Sequence, residues 1–464
     1  MHTLTHVASV YRGLKTDGFL AEALYQEAVA AQAAGDEVGA RTRLQEAINA
    51  IERQSASFGS PETRAMLYET VERVFDAKVR IELGNKRSDS AFAYLERGRV
   101  AAWAPDARLR LGSERTAGSL TRIRELLPAD ALFVEYALLP DTLAMWIASS
   151  RGSRAYAVGV RRDSVAQLVD RFTREMGNPD VDTTSARARL FDLLAAPFAS
   201  ELAGGKEIVV VPDRELARVP FAALWNRTTG RYVLQDYRVR TLPSAAFLVA
   251  ATRAASPDSR SSALVIGNPT LDAATAAELP PLPGASREAE QVARLYGRSQ
   301  LLTGAEASRD RVMELLPKYG VFHFAGHAVA NGDQPELSYL ALGSQRSDED
   351  GTVRAGEIAK LRLSNLQIVV LSACSTLNPR RSRMGAIAGL AYSFMRAGAP
   401  ATVSTLWDVD DAVTTELLVS FHKRFSGGMP AAEALRLAQE DALSSGRPEL
   451  RSPKAWGAFV YTGP

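Results

Sequence analysis

The chain holds 464 residues, of which 46% are hydrophobic and 23% charged, and it carries a net charge of +2. That balance is ordinary for a globular protein of about two to four domains, and it lacks the charge excess of a nucleic-acid-binding surface. With one cysteine there is no internal disulfide framework, and no apolar run reaches the length of a membrane span or forms a signal-peptide core. The expectation is a cytoplasmic protein that engages neither nucleic acid nor membrane.

Residues 1–125 read as helical, rich in Ala, Leu, Glu and Arg and poor in β-branched runs. Ala21 to Ala34 and a second helix from Glu37 flank the turn Gly35-Asp36. Gly35, Ala40, Leu44 and Ala47 stand at the small and apolar packing positions of one degenerate tetratricopeptide (TPR) repeat. A further helix starts at Pro61 with Ser60 before it as an N-cap, and another spans Ser88 to Trp103. This region is either a bundle covering the next domain or a surface that docks a protein partner.

Residues 126–255 alternate strand and helix. Ala131 to Ala137 and Thr142 to Ala148 form a hairpin around Pro140-Asp141, followed by a strand over Arg154 to Val160. Helices are expected over Ser164 to Met176 and Arg187 to Ala199, then a buried strand at Glu207 to Pro212. No nucleophile, metal cluster or phosphate loop stands here; Gly204-Gly205-Lys206 lacks the earlier glycine of a P-loop. Ala251 to Ser262 is a small, polar linker.

Residues 256–464 alternate again. A strand at Ala263 to Gly267 and a helix at Ser286 to Tyr296 lead to the apolar run Val321-Phe-His-Phe-Ala-Gly-His327, read as a strand ending in a Gly-His turn. Past a charged loop, Ser347 to Gly351, a second buried strand starts at Ile368 and ends in Ser372-Ala-Cys374, with the cysteine just past its end. A small-residue helix over Met384 to Ala397, a strand over Ala401 to Leu406 and two helices, Ala412 to Phe425 and Met429 to Ser444, complete a mostly parallel sheet covered on both faces. Ala455 to Tyr461 is the last apolar segment.

Two reactive side chains stand at the ends of adjacent strands. His327 precedes Cys374 by 47 residues, near the roughly 50-residue spacing of a caspase-type His–Cys dyad. In parallel α/β sheets, sites form at the carboxyl ends of strands. A thiol with a pKa near 8.5 is mostly protonated at neutral pH, so a neighbouring imidazole is needed to take its proton and return it to a leaving amine. The backbone amides of Gly326 and Cys374 are the candidate oxyanion donors. Taken singly, each residue reads as a small buried hydrophobe or a satisfied core histidine; taken together, with strand-end placement and spacing, they favour the dyad. His323, alternating with Phe322 and Phe324, is expected to be a buried histidine supporting the site. No Gly-x-Ser-x-Gly elbow, His-Glu-x-x-His zinc motif or dinucleotide fingerprint is present, so neither a metal nor a cofactor is implied.

These residues resemble a known family. Phe322-His-Phe-Ala-Gly-His327, Leu371-Ser-Ala-Cys374, Val403-Ser-Thr-Leu-Trp-Asp408 and Ala455-Trp-Gly-Ala-Phe-Val-Tyr461 look like a CHAT domain, over roughly residues 120–464. The resemblance implies a caspase–haemoglobinase fold related to caspases and separases, with residues 126–255 as a non-catalytic, degenerate half. It implies His327 and Cys374 as the catalytic pair and a protein as substrate, in bacterial regulated proteolysis, defence or cell death. Ala328 and Leu377 depart from it, standing where the family commonly has glycine.

Carboxylates follow the strand after the cysteine. Asp408, Asp410 and Asp411 at a pocket floor would select a basic residue before the scissile bond, and Trp407-Asp408 resembles the separase motif linked to arginine recognition. Equally, Asp408 or Asp410 caps the helix starting near Ala412. The rivals to a cysteine endopeptidase are a non-catalytic CHAT scaffold and, more remotely, an acyltransferase using the same thiol.

Overall fold

The computed structural model describes residues 2–14, 16–58, 61–103, 119–176, 178, 181–202, 206–251, 261–279, 282–331, 334–344, 350–376 and 386–464. Most of the expected linker, and residues 347–349 of the charged loop, fall outside these.

The chain opens with helices His2–Leu14, Asp17–Ala33, Glu37–Ser57, Pro61–Gly84 and Ser88–Trp103. The second and third form the expected helical hairpin. Gly35 turns the chain at φ 80°, a conformation that costs glycine little. The Asp36 side chain then accepts a hydrogen bond from the Gly39 amide at 2.8 Å, capping the third helix. Ala21, Ala31, Ala40 and Ala47 are buried between the helices. Small side chains there let the two backbones approach closely.

The strands, in chain order, are β1 (Ala131–Leu138), β2 (Thr142–Ser149), β3 (Gly152–Gly159), β4 (Glu207–Val211), β5 (Trp225–Asn226), β6 (Arg231–Tyr232), β7 (Arg238–Thr241), β8 (Ser262–Pro269), β9 (Arg298–Gly304), β10 (Val321–Val329), β11 (Tyr339–Ala341), β12 (Thr352–Arg354), β13 (Ile368–Thr376), β14 (Thr402–Thr405) and β15 (Phe459–Thr462). β5 and β6 make a separate hairpin. Among the described residues the other thirteen join one sheet, in the order β12-β11-β10-β13-β14-β15-β7-β4-β1-β2-β3, with β8 and β9 branching from β10. Parallel pairings dominate the centre of each half: β9-β8-β10-β13-β14 on one side and β7-β4-β1 on the other. This is the expected mixed α/β architecture with an N-terminal helical region.

The halves meet where β15 runs parallel to β7, with Thr462 opposite Thr241. Thr241 Oγ1 lies 2.8 Å from Thr462 Oγ1, and the Gly463 amide donates to the Thr241 carbonyl at 3.0 Å. Ala455–Tyr461 is not one strand. Pro453 opens a helical turn, Pro453–Trp456, and β15 follows.

One face of the sheet packs Val134, Val210, Val265, Val321, Val370 and Val403 into a single core with the helices Arg162–Met176 and Asp411–Ser426. The opposite face is divided. Phe322, Phe324, Val369 and Leu371 pack under helix Ala386–Ala397. In the other half, Phe133, Trp146 and Val209 pack against Phe92 and Leu95 of helix Ser88–Trp103. The helical region therefore closes one face of the first half-sheet.

Candidate active site

Strand β10 is central because its two edges serve different partners. One edge pairs with β13 over all nine residues, from Val321↔Ile368 to Val329↔Thr376. The other pairs with β8 up to Ala325↔Gly267, then with antiparallel β11 at Ala328↔Leu340. That second partner carries β10 beyond the expected Gly-His turn, so Gly326 and His327 lie inside the strand. β13 likewise continues to Thr376, which places Cys374 inside it.

The register puts His327 directly opposite Cys374. Neighbouring strands run about 4.8 Å apart, so two residues distant along the chain share one rung. The side chain of Cys374 and the loop after it lie outside the described residues. His327 is half-buried and shares a face with His323 and Ala325, while Phe322 and Phe324 point into the opposite core. Gly326 answers a close approach rather than a turn: a Cβ there would stand 2.9 Å from Phe324 Cζ and 3.2 Å from Pro269 Cδ.

Three aspartates follow β14, and the structure separates their situations. Asp410 is the N-cap of helix Asp411–Ser426, its Oδ1 accepting from the Ala412 and Val413 amides at 2.9 and 3.3 Å. Asp408 keeps an exposed surface, yet the protein around it raises its pKa by desolvation, an effect opposed by the charge of His327. The pKa of Asp411 is raised too, first by burial and then by Glu288 and Asp410; the Gly284 amide and His327 act against them. Gly284 leaves no room for a side chain, since a Cβ would fall 2.4 Å from Asp411 Oδ2. His327 thus lies within the electrostatic reach of two carboxylates, Asp408 and Asp411, both among the three expected at a pocket floor.

Beneath His327 lies a buried polar chain. His323, fully buried, has Nε2 3.1 Å from Glu288 Oε1 and Nδ1 3.1 Å from His422 Nε2. His422 Nδ1 is 2.6 Å from the Tyr296 hydroxyl. Burial, then the neighbouring His323, lowers the His422 pKa well below the ordinary histidine value. Burial raises that of Tyr296. His323 is thus buried beside the site, as its alternation predicts. Glu288, His422 and Tyr296 were not singled out from sequence. One signal existed: His422 interrupts an apolar helix face formed by Leu417, Leu418, Phe421 and Phe425, and a polar residue there needs a buried partner.

On the far side of β10 from β13, a cavity of about 420 Å³ opens at the ends of β8, β9 and β10, with Gly326 and His327 in its wall. Among the described residues no group of three or more His, Cys, Asp or Glu is arranged to hold a metal ion, and no helix is long and apolar enough to cross a membrane.

A family model for the CHAT domain matches residues 184–464. The chain belongs to the CHAT domain family. Its relatives include Tetratricopeptide repeat protein 28 of Homo sapiens, 26% identical over 322 residues, and that of Mus musculus, 28% identical over 322. In both cases the match covers 59% of this CHAT protein and 13% of the relative, so the chain spans a small part of the curated relatives it matches. Among solved structures, the CHAT protein is similar to a chain of the Saccharomyces cerevisiae separase–securin complex, with TM-score 0.45, 11% identity, and coverage of 92% of this chain and 37% of the other. It is also similar to the Arg-specific cysteine proteinase gingipain R, with TM-score 0.39, 10% identity, and coverage of 65% and 74%.

Proposed function

We propose that this CHAT protein is a cysteine endopeptidase that cuts a protein substrate with the His327–Cys374 pair. The observation that carries the proposal is the single-rung pairing of those residues in adjacent parallel strands. In the reaction, His327 takes the thiol proton and the Cys374 sulfur attacks the scissile carbonyl. The tetrahedral oxyanion needs donors as well; the amides of Gly326 and Cys374, expected in that role, lie within the β10–β13 ladder. The C–N bond breaks as His327 gives its proton to the departing amine. A water molecule, deprotonated by the same imidazole, then hydrolyses the thioester and restores the thiol.

Asp408 is the candidate for recognising a basic residue on the acyl side. Its carboxylate is near His327 and has no capping role among the hydrogen bonds described, whereas Asp410 already caps a helix. Asp410 contributes negative potential from that position. The N-terminal helices are the candidate surface for a protein partner. Leu14, Phe19 and Val38 stand 64%, 65% and 69% exposed there and offer it apolar side chains. We further propose a cytoplasmic setting in regulated proteolysis, defence or cell death, with residues 126–255 as the non-catalytic half.

The test is mass-spectrometric mapping of fragments from candidate protein substrates, comparing wild type with Cys374→Ala, alongside labelling by a thiol-directed peptidyl probe. Fragments made only by wild type and label confined to Cys374 are the expected result. A chain that neither cuts nor labels is a binding scaffold, and one that yields acylated products is an acyltransferase.

A further inference from the structure

We infer that the cavity beyond β10 is a leaving-side subsite that accepts a large uncharged side chain from the residue following the scissile bond. The inference rests on the endopeptidase reading of His327 and Cys374, and it specifies what kind of peptide that site takes.

The position decides which side of the bond the cavity serves. The strands run β9-β8-β10-β13-β14, so Cys374 and the stretch leading to Asp408 lie to one side of His327 and the cavity to the other. A histidine that protonates the departing amine must face it. The half of the peptide attached to that amine therefore lies against the outer wall of His327, which is the wall of the cavity. The acyl half lies toward Cys374 and the aspartates.

The lining decides the chemistry. Pro269, Leu271, Leu279 and Leu282 supply apolar surface, and the described lining contains no Asp, Glu, Lys or Arg. A charged side chain placed there would meet only the neutral amide and hydroxyl groups of Asn268, Thr270, Ser286 and Thr303 and no opposite charge. An aromatic or long aliphatic side chain would gain by burying its apolar surface against Pro269, Leu271, Leu279 and Leu282. A volume of about 420 Å³ holds one large side chain with part of its backbone, at the small end of ligand cavities generally.

The rim is built rather than incidental. Asn268 takes the left-handed conformation, φ 47°, and its Oδ1 accepts from the Leu282 amide at 3.1 Å. This fixes the entry to helix Pro283–Ala293 over the end of β8. The Thr270 amide donates to the Gly304 carbonyl at 3.0 Å and ties the ends of β8 and β9 together. Gly326 completes the wall, because a Cβ there would crowd the Phe324 ring at 2.9 Å and stand 3.2 Å from Pro269 Cδ. A cavity framed this way needs little ordering when a peptide enters.

The experiment is cleavage-site profiling by mass spectrometry on a pool of synthetic peptides randomised on both sides of a central arginine. Wild type is expected to favour Leu, Met or Phe after the cut about tenfold over Asp, Glu or Lys, the order of discrimination an apolar pocket provides. Leu282→Asp is expected to abolish that preference and admit Lys. Leu271→Ser, expected to weaken it several-fold, is the second variant should Leu282→Asp fail to fold, as judged by thermal melting. Cleavage with no preference after the bond, or a preference unmoved in the folded variants, overturns the subsite. Labelling by an arginyl chloromethyl ketone, which occupies only the acyl side, separates the two levels. Labelled protein with indiscriminate cleavage loses the subsite alone; wild type that neither labels nor cuts loses the peptidase reading and the subsite with it.

Discussion

Each half of the sheet ends a central parallel pair of strands in polar side chains, but the two ends are finished in opposite ways. In the first half, β1 and β4 are closed by buried charge. Glu135 of β1, fully buried, lies 2.8 Å from Arg99 Nη1, and Arg99 also reaches Asp213 at 3.2 Å just past β4. Asp213 in turn accepts from the Leu138 amide at 2.7 Å. Arg214, held at φ 53°, pairs with Glu72 and Asp76 of helix Pro61–Gly84. In the second half, β10 and β13 end in an imidazole and the rung it shares with a thiol-bearing residue, beside a cavity lined without formal charge. The first end locks the helical region onto the sheet, and the second borders an open cavity.

The titration behaviour follows the same division. Burial pushes Glu135 well above the ordinary carboxylate range, helped by Glu96 and opposed by Arg99. Burial pulls Arg214 down to about 10. Such groups hold their charge only while their partners stay in place, so they serve as fasteners. Asp408, with an exposed surface and His327 nearby, remains able to meet a charged ligand.

The contrast can be broken at either end. The largest effect is expected from His327→Ala, which should reduce peptide cleavage by about three orders of magnitude or more while shifting the melting temperature little, since His327 is only half-buried. A variant that kept a tenth of the activity would remove the dyad. At the other end, Arg99→Met leaves Glu135 buried without its cation and should cost about 3–5 kcal/mol in urea unfolding; a loss under 1 kcal/mol would show that the first half is not fastened by charge.

Asp408→Asn sharpens the comparison. It should lower preference for arginine over glutamine on the acyl side by about 10- to 100-fold, the value of one hydrogen bond to a charged group. Because its pKa is raised, Asp408 takes up its proton above the ordinary aspartate value. The arginine preference of wild type should therefore fade, as pH drops, sooner than a free aspartate would predict. A preference constant through that range would remove Asp408 from the pocket.

The smallest effect concerns His422. It is buried with a lowered pKa, so the folded chain stays unprotonated there while the unfolded chain takes up a proton near pH 6.5. Stability present above that pH is lost as pH falls toward the folded value, by about 1.4 kcal/mol at pH 5.5. Calorimetry on wild type and His422→Gln should show the variant's melting temperature falling less on acidification. Parallel pH profiles would mean that His422 contributes nothing to the dependence.

Much of this was legible in the residues. Runs such as Ile368 to Leu371 and Glu207 to Val211 are short, β-branched and continuous, which is how strands buried on both faces read. The Gly35-Asp36 turn and the Asp410 cap are local chemistry, decided by neighbours within three residues. The spacing of His327 and Cys374 on two successive parallel strands was sufficient to expect that they meet. Strand ends were less legible: Gly326 and Cys374 looked like turn positions because the pairing that extends them, with β11 and along β13, comes from residues far away.

Composition and periodicity thus determined the element types, the α/β class and the helical start, because each depends on propensity and alternation over a few neighbouring positions; the expectation that His327 and Cys374 pair came from their spacing. Only the tertiary structure decided the rest. It joined β15 to β7 so that one sheet crosses both halves, linked Glu288, His323, His422 and Tyr296 into one buried chain, and turned Arg99 onto Glu135 and Asp213. It also opened a cavity behind His327. Each of these sets is drawn from separate elements, and long-range packing leaves no periodic trace in any one of them.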